Sequence, residues 1–435
     1  MKKILLRRPV LAWALYDWAN SAFATTVMAG FFPAFYSFLS KDLSASDSQF
    51  WFNMTLTGSS VLVAISAPVL GAIADRGGSR KKFLATFAML GVVMTAAMAW
   101  VNAGQWELGL IFYALGTVGF SGANVFYDSM LVDVSAEEEF DLISAFGYAM
   151  GYVGGGILFA VNVMMVGKPE LFGIEDAGTA VKLSFLSVAV WWAAFSIPLL
   201  LGVKETPTAH KATRLQAVRE GLAQLAGTFR EIRQLRVLVV FLLGYWLYID
   251  AVNTVIKTAV FFGDRILNLP AQGLMVALLV TQFVAFPSAL FFGWLGKRIG
   301  PRPAILIGLS VYVIALLYAW RWLEDSGDFY VLAIAIGLVQ GGVQSLSRSL
   351  YARLIPVSKT AEFFGFFNMV GKFAAILGPL LMAMVPIVIV GADERDSIMA
   401  LNILFFAGGF LLWRVNVEEG VRAAKAMDND HPGVV

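Results

Sequence analysis

"GAIADRGGSR", Gly71 to Arg80, joins two long apolar runs, and a weaker second copy, "GWLGKRIGPR", spans Gly293 to Arg302. In the first copy Gly77 and Gly78 permit a tight turn. Asp75 suits the positive end of a neighbouring helix, and Arg76, Arg80, Lys81 and Lys82 hold the loop in water. These residues read as conformational machinery rather than as a place for a solute. A second pattern also repeats: Asp17, Asn20 and Thr25 recur as Asp250, Asn253 and Thr258 with identical spacing, so the chain reads as two related halves.

Composition sets the solvent. Of 435 residues, 59% are hydrophobic and only 14% charged, more apolar surface than a water-soluble core can bury, so lipid surrounds the protein. The absence of cysteine excludes disulfides, thiolate nucleophiles and cysteine-held metals. His210 and His431 both fall in polar segments, which argues against a histidine metal site. No Walker loop is present, so ATP is not the energy source. No cofactor, metal or nucleic-acid partner is expected, and the chain reads as a monomer. The opening "MKKILLRRPVLAWALYDWANS" is basic and then apolar beyond signal length, which predicts a retained first membrane helix.

A membrane helix needs about 20 mostly apolar residues. That window predicts spans near 9–38, 50–74, 83–102, 107–134, 141–166, 181–203, 237–262, 270–295, 303–322, 329–354, 362–390 and 397–416, here spans 1 to 12. The expected fold is therefore all-α and integral to the membrane. Its organisation reads as a six-helix bundle over 1–203, a connector over 204–236, a second bundle over 237–416 and a tail over 417–435. The even-numbered loops and both tails carry 22 Lys and Arg against 6 in the odd-numbered loops, which predicts cytoplasmic termini in an inner membrane. Within the connector, Leu215, Val218, Leu222, Leu225, Phe229 and Ile232 recur at spacings of three and four. This pattern suits an amphipathic helix on the membrane surface or an ordinary linker helix.

Gly71, Asp75, Arg76, Gly78 and Arg80 match the cytoplasmic loop motif of the major facilitator superfamily, whose second copy lies where Gly293–Arg302 falls. More narrowly, "YDWANSAF" (16–23), "FYDSMLVDVS" (126–135) and "GGVQSLSRSLYARLIP" (341–356) resemble the branch typified by the vacuolar amino-acid effluxers of autophagy. The resemblance implies twelve helices in two pseudo-symmetric bundles, with spans 1, 4, 7 and 10 around a central cavity. Two departures stand out: Lys297 occupies the position where Asp75 would recur, and span 4 carries no arginine.

An ionised group at mid-bilayer costs roughly 2.5–3.5 kcal/mol even on a lenient scale, so such groups avoid lipid. Spans 3, 6, 9 and 12 have none in their interiors, whereas spans 1, 4, 7, 10 and 11 do. At a rise of about 1.5 Å per residue, Asp17 lies about 13 Å deep, Asp250 about 21 Å and Lys372 about 15 Å. Asp17 with Asn20, and Asp250 with Asn253, are each spaced i and i+3 and so project together. Facing a watery cavity, these acid and amide pairs would bind an ammonium group or exchange protons; the alternative is structural hydrogen bonding between helices. Lys257 or Lys372 would receive a carboxylate. Tyr16, Trp18, Tyr127, Tyr148, Tyr245, Trp246 and Tyr248 would line a pocket or simply pack. Asp128 with Arg348, and Asp133 with Arg353, are expected to form ion pairs between the halves that gate the cavity or brace it. "EEEFD" (137–141) reads as a solvated acidic loop.

The leading expectation is a secondary active transporter moving a small polar organic solute, such as a neutral amino acid, by alternating access, with proton coupling as an option. An exporter of amphipathic drugs or metabolites is the alternative. A non-transporting sensor or scramblase is a third reading, and enzymatic activity is not expected.

Overall fold

The computed structural model describes residues 2–77, 80–205, 231–265, 267–374, 376–388 and 394–429. Twelve helices are long and apolar enough to cross a membrane. They are Arg8–Leu39, Ser46–Asp75, Arg80–Trp100, Trp106–Ser129, Glu137–Gly167, Ala177–Gly202, Arg236–Ala259, Ala271–Ile299, Pro301–Trp322, Ser326–Arg353, Val357–Val388 and Arg395–Arg414. The connector segment expected to be amphipathic falls almost wholly in 206–230, outside the described residues, as do Gly78 and the side chain of Arg76.

Local signals set many of the helix ends. Pro9 and Pro301 sit in the first turns of spans 1 and 9, where a missing N–H costs nothing. The Asp176 carboxylate accepts the Thr179 N–H at 2.9 Å and so starts span 6. Asp325 and Asp328 form a reciprocal cap at the start of span 10. Pro68, Pro198 and Pro287 lie inside spans 2, 6 and 8, where neighbouring helices tolerate them.

Two spans depart from the continuous helices expected of them. Span 1 is α-helical over Arg8–Ala22, widens to a π-helix over Phe23–Phe31, and resumes as α-helix over Phe32–Leu39. Span 11 stops at Phe373 and restarts at Leu377. A proline stands in the first turn of each resuming segment, Pro33 after the π-helix and Pro379 after the break in span 11, a signal that hydropathy does not read.

In the most apolar window of spans 1, 4, 7 and 10, 56%, 61%, 56% and 61% of residues are buried, against 28%, 33%, 44% and 50% in spans 3, 6, 9 and 12, while span 11, which carries Lys372, has 12%. The lipid-facing spans expose their apolar residues, as Ile314 in span 9 and Phe406 in span 12 do.

The halves meet most closely on the face that carries the even-numbered loops. A Cβ on Gly71 of span 2 would strike the Ala361 carbonyl of span 11, and one on Gly365 would lie 2.6 Å from the Ala67 oxygen. Span 8 approaches span 5 in the same way, Gly293 against Ala145 and Asp141. Toward the odd-loop face the matching parts of spans 2 and 11 expose Trp51, Met54 and Leu62, and Leu380, Met384 and Ile387. The even-loop face is closed, and its helices pack backbone to backbone.

Candidate functional site

Between the halves lies a cavity of about 370 Å³, walled by residues of spans 1, 4, 5, 7, 8, 10 and 11. That volume suits a small organic solute. Its polar wall comprises Asp17, Asn20, Thr25, Asn124, Asp128, Gln282, Gln340, Gln344, Arg348 and Asn368, with Tyr127, Tyr148, Tyr152 and Tyr245 among them.

Arg348 organises the even-loop end of this cavity. Its Nη1 donates to Asp128 Oδ1 at 2.8 Å, Nε to Ser144 Oγ at 2.9 Å and Nη2 to the Ser144 carbonyl at 2.9 Å. Ser144 Oγ in turn donates to the Ser345 carbonyl at 2.7 Å. The guanidinium carbon also lies 4.5 Å from the ring centre of Tyr148 and 5.0 Å from that of Trp13. Such enclosure between aromatic faces suits arginine's planar, weakly hydrated head. The side chain is only 2% exposed, and each of its three nitrogens donates a hydrogen bond within the protein.

Asp17 stands beside this cluster without being consumed by it. Its Oδ2 accepts the Tyr127 hydroxyl at 2.9 Å, and Arg348 Nη1 is 3.8 Å away, beyond hydrogen-bond length. Two carboxylates and one guanidinium therefore share the end of the cavity, leaving Asp17 as the less neutralised acid. Trp13 holds the arrangement by donating Nε1–H to the Tyr127 carbonyl at 3.0 Å and stacking on the Tyr127 ring. Asn20 donates to Asn124 Oδ1 at 2.5 Å, and Gln282 of span 8 reaches Thr25 of span 1 at 2.9 Å. This last bond crosses between the halves.

The repeated motif has a different fate in the second half. Asp250 is fully buried and does not line the cavity; its carboxylate accepts N–H groups from Ile376 at 3.1 Å, Leu377 at 2.9 Å and Gly378 at 2.8 Å. Asn253 donates to the Ala374 carbonyl at 3.0 Å, and Thr258 contacts Met382. These residues satisfy the ends of the broken span 11. The expectation that Asp250 and Asn253 face water with Asp17 and Asn20 is corrected accordingly. Tyr16 is also away from the cavity, buried against Tyr127. Lys257 is exposed and Lys372 half-buried, next to lining residues rather than among them.

Of the two ion pairs expected between halves, Asp128–Arg348 forms at 2.8 Å. Asp133 and Arg353 do not pair with each other. Asp133 meets Arg80 of the loop motif at 3.1 Å, and Arg353 meets Asp141 at 2.9 Å. Asp141 belongs to "EEEFD", so that stretch is not simply solvated: Asp141 is buried and also accepts the Ser349 hydroxyl at 2.5 Å. One helical turn separates Asp141 from Ser144, which places both opposite span 10. Asp75 accepts the N–H groups of Ala361 at 3.1 Å and Glu362 at 2.8 Å, so the first-half loop motif caps a helix of the second half.

The residues that sequence reasoning missed are mostly neutral: Ser144, Asn124, Asn368 and the glutamines 282, 340 and 344. Amides within apolar spans were the available signal, because each carries a desolvation cost in lipid that a cavity removes.

Two six-helix halves around a polar central cavity define a transporter of the major facilitator superfamily. Solved structures share the fold. The human organic anion transporter MFSD10 superposes with a TM-score of 0.72 at 15% identity over 93% of this chain and 99% of that one. The proton:xylose symporter XylE does so with 0.69 at 14% identity, covering 94% of each. Residues 52–425 match the family described as "Vacuole effluxer Atg22 like", and the chain belongs to that family. It is 38% identical to the uncharacterized MFS-type transporter YxiO of Bacillus subtilis (strain 168), over 97% of each chain. It is 27% identical to autophagy-related protein 22 of Yarrowia lipolytica, over 66% of this chain and 52% of that one. The protein is thus a transporter rather than an enzyme.

Proposed function

We propose that this protein is a secondary active transporter that moves a small polar organic solute, with neutral amino acids the first candidates, by alternating access between its halves. The even-loop face is cytoplasmic, the protein acts as a monomer in the cytoplasmic membrane, and the conformation described here is closed toward the cytoplasm. The excess of Lys and Arg in the even loops supports that orientation. The observation that carries the reading is Asp17: a carboxylate at the wall of a cavity of about 370 Å³, beside an arginine already committed to Asp128. Such a group can take a proton or an ammonium group, and either event lessens its pull on Arg348. Asp128 and Arg348 then act as a gate between halves, and Asp75, Arg80 and Asp133 as the closure of the cytoplasmic loops. The amide-rich wall favours a polar solute over an amphipathic drug.

The test is uptake or efflux of labelled amino acids by the purified protein in liposomes, with and without a pH gradient. Transport that Asp17→Asn abolishes supports the assignment, and undiminished gradient-driven transport by that variant removes it.

A further inference from the structure

A groove of about 730 Å³ runs between the odd-loop halves of spans 2 and 4. None of its lining residues borders the central cavity, and Val118 in its wall lies about 120° around span 4 from the cavity residue Asn124. Met54, Leu62 and Ile111 on its walls are exposed, so it opens sideways toward acyl chains. From Trp51 to Leu62 it extends about 16 Å along span 2, roughly the depth of one leaflet of a hydrocarbon layer about 30 Å thick. Its floor is bare at Gly58, where a Cβ would meet no atom within 4 Å. The hydroxyls beside that glycine are spent within span 2: Thr55 donates to the Trp51 carbonyl at 2.8 Å and Ser59 to the Thr55 carbonyl at 2.7 Å.

The free polar groups of the groove gather at its outer end. Trp51 and Trp106 meet there across spans 2 and 4, with ring centres 5.9 Å apart. Neither indole N–H donates to another described residue, whereas an indole at the membrane–water interface ordinarily finds an acceptor. Glu107, in the first turn of span 4, is the one ionisable group among the described lining residues. It is exposed, and among the described residues no lysine or arginine pairs with it. An empty groove in lipid would forfeit dispersion contacts, yet acyl chains are as apolar as the groove walls, so filling it carries little selectivity. Selectivity falls instead on the end that holds two indole donors and one carboxylate. A carboxylate only accepts hydrogen bonds, which favours a primary ammonium over a quaternary one and opposes a headgroup of net negative charge.

We propose that this groove is a binding site for an aminophospholipid of the phosphatidylethanolamine type. One acyl chain lies along Gly58 between spans 2 and 4, the ammonium group donates to Glu107, and the indole N–H groups of Trp51 and Trp106 donate to the phosphate or ester oxygens. The site depends on the membrane fold alone and is independent of what the central cavity carries.

The experiment titrates the delipidated full chain in detergent with dioleoyl phosphatidylethanolamine, phosphatidylcholine or phosphatidylglycerol and counts retained lipids by native mass spectrometry. One phosphatidylethanolamine is retained roughly tenfold more tightly than either of the others. Gly58→Phe fills the groove and abolishes that retention with the melting temperature unchanged, whereas Ile314→Phe at an exposed position of span 9 leaves it intact. Glu107→Gln, an exposed substitution that spares the fold, keeps a lipid bound but brings phosphatidylethanolamine to the level of phosphatidylcholine. Equal retention of the three lipids by the parent protein, parental selectivity in Glu107→Gln, or parental retention in Gly58→Phe overturns the proposal. Tighter binding of dodecyltrimethylammonium than of phosphatidylethanolamine assigns the groove to amphipathic cations and overturns it as well.

Discussion

Replacing Asp75 by asparagine preserves shape and removes the charge that faces the first turn of span 11. Two N–H groups bind that carboxylate, from Ala361 at 3.1 Å and Glu362 at 2.8 Å. A hydrogen bond to a charged group contributes about 1.5–3 kcal/mol, and a neutral one about 0.5–1.5 kcal/mol. The charge also gains about 0.3–1 kcal/mol from the helix N-terminus. The asparagine oxygen keeps one neutral bond, so the net loss is about 2–6 kcal/mol, and a central value of about 4 kcal/mol is roughly a thousandfold in an equilibrium. Asp75 belongs to span 2 and its donors to span 11, so the whole loss falls on the conformation in which those ends touch. The chain has no cysteine, so Lys82→Cys with Val357→Cys gives a single pair of spin labels across this face. Pulsed electron-electron resonance in nanodiscs should show the Asp75→Asn protein moving to longer separations, with unchanged helical circular dichroism. An unaltered distance distribution would refute the reasoning, because it would mean the cap does not discriminate between states.

Gly365→Leu should open the same face by a different route, since even a Cβ there lies 2.6 Å from the Ala67 oxygen and the Pro68 Cα; a label separation equal to that of the parent protein would count against it. Arg348→Lys keeps the charge but loses the fork that holds Asp128 and Ser144 together, and should slow liposome transport at least tenfold while the protein remains folded; parental rates would mean a point charge is enough. Asp250→Ala strips three N–H groups of their acceptor. Buried unsatisfied donors cost about 1–3 kcal/mol each, so the melting temperature should fall by several degrees, and a changed pH profile of transport without that fall would contradict a purely structural role. Removing residues 417–435 deletes Lys425, which pairs with Glu137 at 2.8 Å, and Asp428, which accepts the N–H groups of Val357 and Ser358. The even-loop face should then open more readily in the same spin-label assay.

Hydropathy alone fixed the number of spans, because twenty apolar residues in a row have few other places to go. Charge placement agreed with the central helices that the family resemblance implied and, with them, anticipated the Asp128–Arg348 pair, since lipid excludes ions from the outer ring. The loop motif likewise disclosed that Asp75 would cap a helix. The partners of Asp133, Asp141 and Arg353 were not legible. Each lies near the even-loop ends of its span, where a rotation or shift of one turn selects a different neighbour, and sequence spacing does not report how helices of opposite halves are rotated.

The repeated Asp–x–x–Asn shows most plainly where sequence stops. It establishes that spans 1 and 7 are related and that each carries an acid into the bilayer, and it assigns both acids the same chemistry. The tertiary structure separates them. Span 11 breaks after Phe373 and presents bare N–H groups that Asp250 must satisfy, whereas span 5 runs unbroken past Asp17 with Gly147 and Gly151 against it. An unbroken helix has no spare donors at that depth, so Asp17 keeps its carboxyl turned toward the cavity. That difference in the facing helix turns one copy of the motif into a brace and leaves the other at the wall of the cavity.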